Sequence, residues 1–239
     1  MKICYLLPGI GLGPQERKRR EGVLNDIAAS GVKVVVDHIA TGPKSIENAV
    51  DEYSAMPHVL AYVMDHQDNF DAFIIGCAGD SGLEGAREQS LKPVVGPGES
   101  SIILGTLGDQ RFSMVTISDE RARLKRRLVR ESGLSEHRLV SSHSIGIPVL
   151  ELNADQEATA DCLVSIMRDA KAKGAETMLL GCMSVAFMEP ELLARISAEA
   201  DLPLINPIVS AVKLAEALVA IHSYGRSAEK NVTTSSLSS

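Results

Sequence analysis

Apolar residues along the chain gather in short β-branched runs, separated by longer stretches in which apolar positions recur every three to four residues. The runs are KICYLL (2–7), KVVVDHI (33–39), AFIIGC (72–77), KPVVG (92–96), FSMVTI (112–117), RLVSSHSI (138–145), ETMLLGC (176–182) and LPLINP (202–207). Helical spacing occupies about 14–30, 45–68, 81–90, 99–107, 119–132, 154–173, 189–200 and 207–222. In 154–173, Ala158, Cys162, Leu163, Ile166, Met167 and Ala170 share one predicted face, while Asp161, Arg168 and Lys171 point elsewhere. Alternating strands and helices predict an α/β protein with parallel strands joined by crossover helices.

The pattern repeats. KICYLL leads to PQERKRREGVLNDIAASGV and on to DAFIIGCAGD, whereas FSMVTI leads to DERARLKRRLVRESGL and on to AETMLLGCMS. Each half ends an apolar strand in Gly-Cys, at Gly76-Cys77 and Gly181-Cys182. This predicts two pseudo-symmetric lobes, each a parallel sheet flanked by helices. Residues 1–98 with 207–226 form the lobe carrying Cys77, and 99–206 the lobe carrying Cys182. Residues 227–239, polar and low in complexity, are expected to be disordered. In open parallel sheets ligands sit beyond the carboxyl ends of the strands, so facing lobes bring both cysteines to one cleft.

Composition narrows the partners. The 239 residues carry 24 basic and 31 acidic side chains, a net charge of −7, and the aromatic residues are only four Tyr and four Phe. Neither charge nor stacking surface favours nucleic acid. The apolar runs fall short of the roughly 18 residues a membrane helix needs, and MKICYLLPGIG lacks the pattern of a secretion signal. The expectation is a cytoplasmic protein acting on a small molecule. The apolar helix 207–222 serves either as core or as the interface of a homo-oligomer.

Cys4, Cys77, Cys162 and Cys182 show neither CxxC spacing nor metal-spaced histidines, so free thiols and no metal are expected. Cys4 lies mid-strand and reads as core. Cys77 and Cys182 stand where a strand stops and small residues begin; a thiol at a helix entrance is expected to have a lowered pKa. Two thiols across a cleft suit the inversion of an acidic carbon, one taking a proton from one face and the other returning a proton to the opposite face. No cofactor is required. Backbone N–H groups near Gly9, Gly42, Ala78, Gly79, Met183 and Ser184 are candidates for stabilising the resulting anion, and Thr41, Thr116, Ser118 and Ser184 offer hydroxyls at strand ends, each of which taken singly reads first as a helix cap.

Two other signals compete. PGIGLG (8–13) follows the first strand, and Asp37 ends the second, as in an NAD-binding oxidoreductase; but Pro14 stands where the third glycine of that fingerprint belongs. These glycines read better as a loop passing close to a small anionic ligand. The basic runs Arg17-Lys18-Arg19-Arg20 and Lys125-Arg126-Arg127 lie in predicted helices beside acids and are expected to be solvated faces.

The stretches GPKSIENAVDE (42–52), DAFIIGCAGDSGLEGARE (71–88), PVVG (93–96), RFSMVT (111–116), PVLEL (148–152), LLGC (179–182) and SAVKLAEALV (210–219) resemble the aspartate/glutamate/hydantoin racemase superfamily, most closely its hydantoin and allantoin racemase branch. The resemblance implies two pseudo-symmetric lobes, a cofactor-free site between them, and Cys77 and Cys182 as acid and base. Three segments depart from the branch's usual pattern. Leu7-Pro8-Gly9-Ile10 replaces an Asn-Pro-Asn segment, Asp80-Ser81-Gly82-Leu83 replaces Asp-Pro-Gly-Leu, and Met183-Ser184 replaces Ala-Gly after the second cysteine. Loss of the asparagine amides implies a different ring or carboxylate in the pocket. The candidate site is therefore Cys77 and Cys182 with Pro8, Gly9, Ile10, Gly42, Ala78, Gly79, Asp80, Thr116, Ser118, Met183 and Ser184. The implied substrate is a hydantoin, an amino acid or a related carboxylate. A cysteine-dependent cis–trans isomerase or decarboxylase of small diacids is the alternative on the same fold, and a two-lobed binding protein without catalysis is a further one.

Overall fold

The computed structural model describes residues 1–107, 110–131, 136–152 and 154–235. All eight expected strands are present among them. β1 (Lys2–Leu7), β2 (Lys33–His38), β3 (Ala72–Ile75) and β4 (Val94–Val95) form one parallel sheet in the order β2-β1-β3-β4. β5 (Phe112–Thr116), β6 (Leu139–Ser144), β7 (Thr177–Leu180) and β8 (Leu204–Ile205) form a second in the order β6-β5-β7-β8. The two orders are the same pattern twice, as the repeat predicts. The central strands β1, β3, β5 and β7 are buried almost throughout, whereas edge strands β2 and β6 are half-buried, which is why the central runs are the most continuously apolar.

The helices are α1 (Pro14–Ile27), α2 (Ala49–His66), α3 (Leu83–Gln89), α4 (Pro97–Gly105), α5 (Asp119–Glu131), α6 (Gln156–Ala172), α7 (Met183–Ala186), α8 (Pro190–Ala200) and α9 (Pro207–Ser235). The single turn α7, directly after Cys182, is too short to have a period and is not legible in the sequence. α6 buries Leu163, Met167 and Ala170 as expected; but Thr159, Ala160 and Val164 complete its inner face, with Cys162 and Ile166 only half-buried and Ala158 exposed. α9 turns Ile208, Ala211, Val212, Ala215 and Val219 into the core. It also runs on to Ser235, through residues expected to be disordered. Ala228, Glu229 and Lys230 are good helix formers, and extending an existing helix is far easier than starting one. Residues 236–239 lie outside the described residues.

One core cluster joins the two sheets, from Ile3, Tyr5 and Ile74 through Val115, Met178 and Leu180 to Ala211 and Ala215 of α9. The strand ends that carry the cysteines are held alike in the two halves. Gly76 N–H donates to Leu6 O (2.7 Å) and Gly181 N–H to Val115 O (2.6 Å), and Leu6 and Val115 are the partners of Ile75 and Leu180 in the ladders. In each sheet the order reverses between the first strand and the strand bearing the cysteine, which opens a crevice at its carboxyl end.

Candidate active site

Cys77 and Cys182 line the same cleft, an open space of about 650 Å³ between the halves. The first half contributes Leu7 at the end of β1 with Pro8 and Gly9 beyond it, Lys44, Ser45 and Ile46 after β2, and Gly76 to Gly79 after β3. The second contributes Thr116 at the end of β5 with Ile117 beyond it, Val149 and Leu150 after β6, and Gly181 to Ser184 after β7. Loops from equivalent strand ends thus face one another across the cavity.

Of the sequence-predicted residues, Pro8, Gly9, Ala78, Gly79, Thr116, Met183 and Ser184 line the cleft with the cysteines. Ile10, Gly42, Asp80 and Ser118 do not. Ile10 is 44% exposed and its N–H is held by Pro43 O at 2.9 Å. Gly42 turns the chain over Ile39 at φ +151°, a conformation that leaves no room for a side chain. Ser118 caps α5, accepting the N–H of Arg121 at 3.3 Å, and Thr41 is exposed beside His58.

Asp80 is buried behind the cleft, in a left-handed conformation (φ 56°) that aspartate tolerates better than most side chains. Its carboxylate accepts the N–H groups of Gly98 (2.8 Å) and Glu99 (2.6 Å), capping α4, whose own N-cap residue, Gly96, has no side chain to offer. Burial pushes its pKa up to about 6, against those two bonds and Lys125, which pull it down. This lies above the ordinary 3.8, so the folded protein binds this proton more tightly than the unfolded chain does. The resulting stabilisation is complete below about pH 4 and lost as the pH climbs through about 6. In unfolding titrations the protein should lose stability relative to Asp80→Asn by on the order of 3 kcal/mol between about pH 4 and 7. A difference independent of pH would refute the assignment.

The two thiols differ. Cys182 is 8% exposed, and burial raises its pKa although the N–H groups of Ser184 and Val185 and the charge of Arg20 oppose this. The lowering expected from the strand-to-helix position is real but outweighed by desolvation. Cys77 is half-buried, and its Sγ accepts the N–H of Gly79 at 3.3 Å. Gly79 therefore gives its amide to sulfur rather than to a substrate anion. Thr116 Oγ1 is likewise occupied, donating to Gly181 O at 3.3 Å.

The basic runs are not simply solvated faces. Arg20 is 2% exposed and lines the cleft, donating through Nε to Glu16 (2.8 Å) and through Nη2 to Ser184 Oγ (3.2 Å), and it lies over the Phe187 ring. Arg121, which also lines the cleft, pairs with Glu52 of α2, and the buried Lys125 donates to Ala78 O at 2.6 Å. These bonds, with Glu47 accepting the N–H of Val149 at 3.1 Å, tie the two halves together around the cavity. The sequence carries a trace of this. Arg20, Leu24 and Ile27, like Arg121, Lys125 and Leu128, stand at i, i+4, i+7, so each cation interrupts an inward stripe.

The nucleotide signal is absorbed elsewhere. The N–H groups of Ile10 and Gly11, which a pyrophosphate would need, are taken by the carbonyls of Pro43 and Lys44. Asp37 accepts the Tyr62 hydroxyl at 2.6 Å and the N–H of His38 at 2.8 Å. No helix among the described residues is long and apolar enough to cross a membrane.

Known proteins match both sequence and architecture. The family model for Asp/Glu/hydantoin racemase covers residues 18–215. A hydantoin racemase from a Pseudomonas sp. is 34% identical over 221 residues, 92% of this chain and 86% of its own length. The solved allantoin racemase from Klebsiella pneumoniae superimposes with a TM-score of 0.82 at 28% identity, covering 93% of this chain and 89% of that one. That from Pseudomonas fluorescens gives 0.83 at 26% identity, with 93% and 92% covered. By sequence and by fold the chain belongs to the Asp/Glu/hydantoin racemase family and is an isomerase of the racemase type.

Proposed function

We propose that the protein inverts the acidic carbon of a hydantoin-like ring, with Cys77 and Cys182 as the acid–base pair. The observation that carries this reading is that two Gly-Cys strand ends, equivalent in the repeat, line one cleft from opposite halves. The carbon between a ring carbonyl and a ring nitrogen loses its proton to a thiolate on one face and receives one from a thiol on the other. The ring passes through an enolate-like anion and leaves inverted. The first sulfur ends as thiol and the second as thiolate, ready for the reverse direction. Burial raises the Cys182 pKa, which favours its thiol form, the form that returns a proton.

The sulfurs have stable support in both states. The N–H of Gly79 reaches Cys77, the N–H groups of Ser184 and Val185 lower the Cys182 pKa, and Arg20, Arg121 and Lys125 place positive charge around the two sulfurs. The same charges suit a substrate that turns anionic during the reaction.

The test is deuterium entry from D₂O into single-enantiomer hydantoins, allantoin and amino acids, followed by NMR together with optical rotation. Exchange with loss of optical purity on a hydantoin-type ring, absent in the Cys77→Ala/Cys182→Ala double variant, is expected. Absence of exchange from every substrate would overturn racemisation and favour the diacid isomerase or decarboxylase reading.

A further inference from the structure

We propose that the substrate carries a carboxylate remote from the inverted carbon, and that Arg20 is the residue that selects it. This rests on the racemase reading and narrows its substrate to hydantoins whose ring substituent ends in a carboxylate. The residues lining the cleft include three basic side chains, Arg20, Lys44 and Arg121, and neither aspartate nor glutamate. The acids that neutralise the two arginines stand outside that lining.

On the Cys182 side the neutralisation is incomplete. Glu16 is shared between Arg19, which meets both carboxylate oxygens, and Arg20, which meets one. The second acid near Arg19, Glu189, is 3.7 Å away and largely exposed. Arg20 bonds through Nε and Nη2 and leaves Nη1 free. A 2% exposed guanidinium in that state pays desolvation without a full counter-ion, and an anion entering the cleft supplies one.

On the Cys77 side, Arg121 is committed through Nη1 to Glu52, and its Nη2 packs against Gly79. It is therefore a wall of the reacting centre more than a free receptor. Lys44 is exposed at the mouth, with Ser45 and Ile46 beside it, where it attracts an anion before Arg20 receives it. The carboxylate thus points toward Arg20 and Ser184, and the ring lies between the sulfurs.

The substrate pair that tests this is 5-carboxymethylhydantoin against 5-isobutylhydantoin, both followed by deuterium exchange, with calorimetric titration of the same two ligands. The protein should favour the carboxylate by about 10-fold or more in kcat/KM, and this preference should fall with added salt. Arg20→Gln should raise KM for the carboxylate substrate alone by about 10- to 100-fold and collapse the preference, whereas the loss of its charge beside Cys182 should lower kcat on both hydantoins alike. Lys44→Gln, which changes only an exposed side chain, should weaken the salt dependence. Equal rates on the two hydantoins would overturn the proposal while leaving racemisation intact. If neither these hydantoins nor allantoin nor any amino acid exchanges, the racemase reading fails. Titration then decides the anion site alone: equal binding of the two ligands, or equal binding to the Arg20→Gln variant, refutes it.

Discussion

Cys77→Ala and Cys182→Ala should each lower the rate of inversion by about 1000-fold or more while leaving the fold intact. The more telling result is what each variant retains. With one sulfur left, a proton can be removed and returned only on that sulfur's face, so solvent deuterium enters one enantiomer without inverting it. The variants should therefore exchange opposite enantiomers. Because burial raises the Cys182 pKa, exchange by Cys77→Ala, which depends on the Cys182 thiolate, should keep climbing with pH beyond the ordinary thiol range. Inversion surviving in either variant, or both variants exchanging the same enantiomer, would dismiss a two-base mechanism. NMR in D₂O on separated enantiomers reads both.

The second large effect lies beneath the cysteine. A Cβ added at Gly76 would stand 2.7 Å from Tyr5 Cε1 and 3.0 Å from both Tyr5 Cζ and Leu6 O. None of these atoms can yield easily. Tyr5 is a fully buried ring in a central strand, its edge set against Phe187 at 5.8 Å, and Leu6 O already holds the Gly76 N–H. Gly76→Ala should destabilise the protein by about 3 kcal/mol and move Cys77 with it. Tyr5→Leu in the same chain removes the ring and a buried hydroxyl that has no hydrogen-bond partner. The double variant should recover at least about 1 kcal/mol relative to the sum of the single changes. Additive losses in denaturant unfolding would show that the ring does not set the strand end.

These two results concern positions of different legibility. The Gly-Cys dipeptides are legible as the ends of two apolar runs, and their repetition predicts a shared cleft. That Gly76 is glycine because a tyrosine ring lies against it was not visible. Tyr5 and Gly76 are 71 positions apart, on neighbouring strands whose register the sequence does not state. Asp80 is a similar case. Its place three residues after Cys77 made it a plausible site residue, but the carboxylate turns away to cap α4, which lacks a cap of its own.

Local pattern by itself determined the eight strands, the longer helices, the twofold reuse of one βα plan and the pair of cysteines, because periodicity and strand ends are properties of neighbouring residues. It misjudged what depends on how the halves meet. Arg20 and Lys125 sit among other charges in sequence, and neighbouring charge is all that a local reading weighs. In the folded chain their helix faces close on the opposite half, so Arg20 reaches Ser184 and Lys125 reaches Ala78. The same closure buries Cys182 and raises its pKa, reversing what a strand-to-helix position alone implies. Burial and counter-charge are set by the whole fold. The tertiary structure therefore decided the electrostatics of the cleft, while the sequence alone decided which sulfurs stand in it.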